Sequence, residues 1–137
     1  MAGTNAGNSF NTFPLMNDQL IPEGYYLEYY GIKNSFENTI AINFNHRWLT
    51  MFTFSFISSV MIYLLFHKNK NEKYNKFSLI LVLIVLLLQI ILGIITLIKA
   101  VPISYASIHQ TNAVILLASM LFSYHRLIYK YIDLLNI

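Results

Sequence analysis

Cysteine is absent from this chain of 137 residues, and charged residues make up only 11% of it. The absence of cysteine excludes disulfide bonds and thiolate metal centres. The low charge and a hydrophobic fraction of 56% place the chain among membrane proteins. A secretory leader is missing too, since no basic stretch precedes an apolar core in residues 1–30. We therefore expect the chain to enter a membrane through its own helices.

Three apolar segments are each long enough to cross roughly 30 Å of hydrocarbon. They run from about Phe44 to Phe66, from Phe77 to Ala100 and from Ser104 to Ile128. They predict an all-α membrane protein in two parts. Residues 1–43 are predicted to form an outer-face loop segment with a short interfacial helix near Ser35–Ile40. Residues 44–137 are predicted to form a three-helix transmembrane domain.

Charge is segregated along the chain and predicts the orientation of these helices. Four of the charged residues in His67–Lys76 are lysines, whereas the segment before Phe44 carries four acidic residues and Lys33 alone. Positively charged loops stay on the cytoplasmic or matrix side of a membrane. The lysine-rich loop is therefore predicted to face inward and residues 1–43 outward. The net charge of +3 reports this topology and does not indicate a nucleic-acid partner.

Two histidines, His46 and His109, follow the starts of the first and third apolar helices. Both helices begin on the same side of the membrane, so the two imidazoles are predicted to lie at nearly the same depth. Ionisable groups inside a membrane are costly and therefore indicate function. A lone histidine there is more often a hydrogen-bonded structural residue. A matched pair favours axial ligation of a haem iron.

The other two histidines, His67 and His125, do not form a second pair. His67 lies about 31 Å along the helix from His46, and His125 lies about 24 Å from His109, at 1.5 Å per residue. The resulting mismatch in depth is about 7 Å. We interpret both as interfacial residues on the inner side.

Arg47 and Gly93 are the other candidate cofactor-binding residues. Arg47 can present its guanidinium to a haem propionate at the outer face, or it can extend its charge to the interface. Gly93 lies on one stripe of the middle helix with Gln89 and Thr96. A glycine there allows close approach, either by a flat macrocycle or by a neighbouring helix. The sequence leaves both alternatives open for each residue.

Five motifs follow the second half of haem A synthase in order and spacing, from Ala2 to about Phe122. They are Asn11–Met16, Phe36–Asn38, Phe44–Arg47, Gln89–Thr96 and Ala106–Gln110. The chain thus resembles the C-terminal half of that family, of mitochondrial or alphaproteobacterial type. Its three helices are one short of the four-helix bundle that usually encloses such a cofactor.

The resemblance implies an eight-helix protein built from two four-helix halves. It implies oxidation of a methyl group of haem O to a formyl group, which gives haem A for cytochrome c oxidase. The first half would hold the substrate haem and a glutamate three residues before its His-Arg pair. The second half would hold haem b on the histidines that match His46 and His109. Asn43 stands at the position of the glutamate, so no catalytic residue is expected in this half.

The stretch Ala2–Gly7 resembles the end of the family's fifth helix, which predicts that the helices before it are supplied by a separate chain. We expect half of a split haem A synthase that is an oxidoreductase only with the N-terminal catalytic half. Respiratory complex subunits are further candidate partners. The expected location is the mitochondrial inner membrane, with the bacterial cytoplasmic membrane as the alternative. The functional alternatives are a non-catalytic haem-binding subunit and a purely structural membrane subunit.

Overall fold

The computed structural model describes residues 6–67 and 73–135, and these ranges are mostly helical. The helices are α1 (Asn34–Glu37), α2 (Thr39–His67), α3 (Lys73–Ile98) and α4 (Ile103–Leu135). Two 3-10 helices, Ala6–Asn8 and Glu28–Lys33, precede them. Residues 68–72 of the lysine-rich loop, on which the predicted orientation depends, lie outside the described residues.

Helices α2, α3 and α4 contain three segments long and apolar enough to cross a membrane. These segments are Thr39–Phe66, Lys76–Ile98 and Ile103–Ile128. The prediction of an all-α multi-pass membrane protein is therefore confirmed. The helices extend by several residues beyond the predicted segments at three ends, since α2 begins at Thr39 rather than Phe44, α3 begins at Lys73 rather than Phe77, and α4 continues to Leu135.

The early start of α2 is explained by Asn38. Its backbone is extended, with φ −76° and ψ 112°, and its side-chain Oδ1 accepts a hydrogen bond of 3.0 Å from the N–H of Ile40. This is the geometry of an N-cap residue. The predicted interfacial helix near Ser35–Ile40 is consequently divided at this point. Its first part lies in the single turn α1, and Ile40 already belongs to α2.

Helices α3 and α4 form a closely packed antiparallel hairpin. A tight turn at Ala100 and Val101 joins them, and both residues have a left-handed backbone with φ of 59° and 55°. The N–H of Val101 donates to the carbonyl of Thr96 at 2.8 Å, and the N–H of Ala100 donates to that of Leu97 at 3.1 Å. This pair of bonds is the Schellman motif that ends many helices. The side chains buried in the hairpin include Leu79, Val82, Leu86, Ser119 and Ser123.

Helix α2 is much less enclosed than the hairpin. None of its described side chains from Trp48 to Phe66 is buried. Its stripe of half-buried residues, at 50, 54, 57, 61 and 64, recurs with helical spacing and marks a single covered face. The position of α2 is therefore determined mainly at its N-terminal end.

Hydrogen bonds from side-chain amides hold the segment before α2 against the N-terminal end of this helix. Asn34 and Asn38 donate to the carbonyls of Tyr25 and Gly24, each at 2.7 Å. Tyr25 in turn packs edge-on against Phe44, with ring centroids 4.8 Å apart. Each of these bonds satisfies a carbonyl that lies outside regular secondary structure.

Residues 6–8 contact both the top of α2 and the α3–α4 turn. The carbonyl of Ala6 accepts a hydrogen bond of 2.7 Å from the buried amide of Asn43. A Cβ on Gly7 would lie 2.5 Å from Cγ2 of Val101, so only glycine fits there without movement. This short segment thereby ties α2 to the hairpin at the outer face.

Candidate functional site

His109 projects from α4 onto α3, where Gly93 makes room for its ring. A Cβ placed on Gly93 would lie 3.0 Å from Cε1 of the imidazole, closer than ordinary van der Waals contact. The close approach predicted at Gly93 is therefore made by the side chain of a neighbouring helix. Direct contact of Gly93 with a macrocycle stays a prediction.

A polar network inside the hairpin surrounds the same imidazole. Asn112, one turn beyond His109, donates to the carbonyl of Val85 at 3.2 Å and to Oε1 of Gln89 at 2.8 Å. Nε2 of Gln89 lies 3.4 Å from Nε2 of His109. Nδ1 of His109 is buried and has no hydrogen-bond partner among the described residues. Buried polar groups normally have a hydrogen-bond partner, so the lack of one at Nδ1 is unusual.

His46 lies on α2 near the same end of the bundle. It is seven residues after Thr39, and His109 is six residues after Ile103, so the rings lie about 10 Å and 9 Å into their helices. His46 is exposed, whereas the ring of His109 is partly covered by α3. His46 therefore lies on the side of the site that the other described helices leave uncovered, which is called the open side below.

Arg47 makes three side-chain hydrogen bonds and is only 8% exposed. Its Nη1 and Nη2 donate to the carbonyls of Thr12 and Phe10 at 2.7 and 2.8 Å, and its Nε donates to Oδ1 of Asn43 at 2.8 Å. Three of the five guanidinium N–H groups are thereby used. Arg47 holds the loop over α2, which neither sequence interpretation anticipated, and its contact with a propionate stays a prediction.

Asn43 is fully buried and bonded on both sides of its amide. It donates to Ala6 and accepts from Arg47, so it links the loop to the guanidinium. An amide neither takes up nor releases a proton in the physiological range. The role of Asn43 in this chain is structural.

A cavity of about 90 Å³ lies beside Arg47, between the loop and α2. Its lining residues are Pro14, Leu15, Met16, Leu20, Phe44, Arg47, Trp48 and Met51. Pockets for cofactors have volumes of about 300–1,000 Å³. This cavity is too small for a macrocycle, so a cofactor between His46 and His109 has to use the open side of the bundle.

The donor set fits a haem better than a bare metal ion. Within the described ranges, no three His, Cys, Asp or Glu side chains come together, as a zinc or iron site built from protein alone would require. A haem iron needs only two axial imidazoles. The space at Gly93 and the long contact of 3.4 Å at Nε2 of His109 agree with an imidazole that is available as such a ligand.

The remaining histidines lie elsewhere. His67 is the last residue of α2, and His125 lies 16 residues beyond His109 on α4. Both are at the opposite end of the bundle from His46, as the spacing predicts. Sequence reasoning missed Asn112, although its position three residues after His109 was a signal, because that spacing places it on the same helix face.

An all-α multi-pass membrane protein with two histidines at one end of its bundle is the class defined by this fold and site. Comparison with known families narrows that class. Residues 1–121 match the family COX15-CtaA, described as cytochrome oxidase assembly protein. The chain belongs to this family, which includes the haem A synthases.

Several curated bacterial relatives are named heme A synthase. The chain is 40% identical over 124 residues to the protein of Rickettsia africae, which covers 90% of the chain and 36% of the relative. It is 37% identical over 117 residues to that of Bartonella tribocorum, covering 85% and 32%. For Wolbachia pipientis wMel the identity is 36% over 122 residues, covering 89% and 32%. The chain thus spans about a third of the length of these relatives. No solved structure matches the chain.

Proposed function

We propose that this chain is the haem-binding C-terminal half of a haem A synthase, with His46 and His109 as the axial ligands of a haem b. The observation that carries the proposal is the placement of the two imidazoles. They lie at similar depth on α2 and α4, and Nε2 of His109 makes only a long contact of 3.4 Å, with Nε2 of Gln89, among the described residues. Family membership supports the same cofactor.

A bound haem b would supply one-electron redox chemistry, while the chain supplies its ligands and its surroundings. His46 and His109 would hold the iron, and the packed α3–α4 hairpin would exclude water from one side. The two guanidinium N–H groups of Arg47 that the loop does not use point to a further contact with a propionate. Residues 1–43 face the outer side in this proposal, as the positive-inside rule predicts.

The oxidation of haem O to haem A requires groups that this half does not carry. Asn43 stands where the resemblance places a glutamate, and it cannot act as an acid or a base. We propose that the catalytic residues come from the N-terminal half of the enzyme, which also supplies the fourth helix of this bundle. The exposure of His46 and of most of α2 supports this assignment, since lipid alone gives no drive to close three helices around a cofactor.

The location follows from the helices only in part. A multi-pass membrane protein is established, and the relatives described above are bacterial. The mitochondrial inner membrane stays a prediction. Respiratory complex subunits as partners also stay a prediction.

The proposal is tested by the visible spectrum of the purified chain and of its histidine variants. The wild-type chain, coexpressed with a haem A synthase N-terminal half, should show a low-spin six-coordinate b-type spectrum. His46→Ala and His109→Ala should each abolish it, and His125→Ala is the matched control that should retain it. An unchanged low-spin spectrum in both site variants would overturn the ligand assignment.

Enzymatic turnover separates the catalytic proposal from its alternatives. The coexpressed halves should convert haem O to haem A, and the chain alone should not. A low-spin spectrum without conversion in the coexpressed pair would favour the non-catalytic haem-binding subunit. A chain without any haem spectrum would favour the structural membrane subunit.

A further inference from the structure

The polar network beside His109 has a fixed direction because it begins at a backbone carbonyl. The oxygen of Val85 can only accept a hydrogen bond, so the atom of Asn112 that lies 3.2 Å from it has to be the amide nitrogen. The same nitrogen lies 2.8 Å from Oε1 of Gln89 and donates its second hydrogen there. The orientation of both amides is therefore determined by the backbone of α3.

This orientation decides what Gln89 presents to His109. With its oxygen turned to Asn112, Gln89 places its NH2 group 3.4 Å from Nε2 of the imidazole. An amide NH2 group can only donate, so it favours a lone pair on that ring nitrogen. A proton on Nε2 would instead face another donor, which is repulsive. The neutral imidazole therefore carries its proton on Nδ1.

The other ring nitrogen does not alter this preference. Nδ1 makes no hydrogen bond with the described residues. Gly93 admits the ring at van der Waals distance and leaves little freedom for it to move away. The contact with Gln89 is thus the interaction that distinguishes the two tautomers.

We propose that Gln89 and Asn112 are positioning residues that set the tautomer of His109, with the lone pair on Nε2. Histidine binds a metal through the nitrogen that carries the lone pair, and the other nitrogen keeps the proton. The inference rests on the proposed function, in which His109 ligates haem iron. The contact to Gln89 is long for a hydrogen bond, so exchanging it for a metal ligand loses little.

The test is nitrogen NMR of the full chain labelled with 15N-histidine, in micelles at alkaline pH and without haem. The His109 signals are assigned by their loss in His109→Ala. In the wild type we expect a pyridine-type Nε2 and a pyrrole-type Nδ1. Gln89→Met should shift the population toward the opposite tautomer by about twofold, the ratio that corresponds to a weak neutral hydrogen bond. Asn112→Leu should act in the same direction and less strongly, because Gln89 stays but is free to turn.

Thr96→Val is the matched control, since its buried hydroxyl bonds only to the carbonyl of Leu92 on the same face of α3. It should leave the His109 signals unchanged. Hemin binding by the same variants, measured in the presence of the N-terminal half, is a separate readout of the proposed function. A pyrrole-type Nε2 in the wild type, or an unchanged spectrum in both Gln89→Met and Asn112→Leu, would overturn the inference. Failure of the wild type to bind hemin when the N-terminal half is present would count against the proposed function alone, because the tautomer is measured without haem.

Discussion

Helix α2 and the α3–α4 hairpin are held in place by different interactions. The hairpin is packed along its length and encloses both apolar side chains and the network of Gln89 and Asn112. Helix α2 has no buried side chain between Trp48 and Phe66 and is fixed at its outer end by polar bonds to the loop. In lipid the hydrophobic effect does not press helices together. Hydrogen bonds between the loop and the N-terminal end of α2 therefore position this helix, as a hydrophobic core does in a soluble protein.

The two proposed ligands, His109 and His46, differ in the same way in how they are held in position. His109 lies against α3 in a space that Gly93 provides, so its ring is positioned within the chain itself. His46 is exposed, and its position depends on the neighbouring Arg47 and on whatever covers α2. The half-site at His109 is preorganised, while the half-site at His46 has to be completed by further protein.

Arg47→Ala is expected to have the largest effect on this comparison. It would leave two loop carbonyls and the amide of Asn43 without their buried charged donor, at a cost of about 3–5 kcal/mol. The loss should appear in the unfolding free energy in mixed micelles and in faster proteolysis at Phe10–Thr12. Arg47→Lys keeps the charge but lacks the planar fork, so its loss should be intermediate.

Spectroscopy of the same variant separates the two roles of Arg47. If the residue chiefly serves the loop, unfolding and haem occupancy should decline together. Loss of haem with an unchanged unfolding free energy would show instead that the propionate contact dominates, and it would weaken the contrast between α2 and the hairpin.

Asn38→Ala should have the second largest effect, and it acts only on the α2 side of the comparison. It removes the N-cap of α2, which costs about 1–2 kcal/mol, together with the bond to the carbonyl of Gly24. Asn38→Asp keeps the capping oxygen but lacks the NH2 group, so it isolates the capping contribution. Hydrogen exchange of the first turn of α2 is the measurement. Equal exchange in the wild type and Asn38→Ala would contradict the assigned cap.

The sequence predicted the helices and the histidine pair because both depend on local patterns. Long apolar segments define the helices, and the positions of His46 and His109 follow from the rise per residue. The early start of α2 was signalled by Asn38, a strong capping residue, but the apolar pattern alone begins later.

Arg47 could not be interpreted in the same way. Two of its three partners are backbone carbonyls 35 and 37 positions upstream, and every residue has a carbonyl, so no side-chain pattern marks these two. The direction of the network at Gln89 likewise depends on the carbonyl of Val85. Contacts of side chains with irregular or distant backbone become visible only in three dimensions.

Gly93→Ala should produce a smaller change that separates stability from haem binding. Alanine favours the helix by about 1 kcal/mol, so the thermal stability of the hairpin should not fall. The new Cβ would lie 3.0 Å from the His109 ring and displace it by a few tenths of an ångström, which should weaken hemin binding severalfold. Thr96→Ala, one turn away, is the control and should leave hemin binding unchanged. Undiminished hemin affinity in Gly93→Ala would show that the site tolerates movement of its ring and is not preorganised.

Ala100→Gly is expected to have the smallest effect and to stabilise the hairpin. Ala100 has a left-handed backbone with φ of 59°, a conformation that costs a residue with a Cβ about 1–2 kcal/mol and costs glycine almost nothing. Part of this gain is lost because glycine is more flexible in the unfolded chain, so the net increase in unfolding free energy should be about 0.5–1 kcal/mol. Val101→Gly is the contrasting variant, because it relieves a similar backbone conformation but removes the methyl groups that pack against Gly7. Thermal unfolding in micelles should show a gain for Ala100→Gly and a smaller gain or a loss for Val101→Gly. Proteolysis of the loop that precedes α2 should be unchanged in Ala100→Gly, because the turn affects α2 through Gly7. Faster proteolysis of this loop would show that the hairpin and α2 are more strongly coupled than their packing indicates.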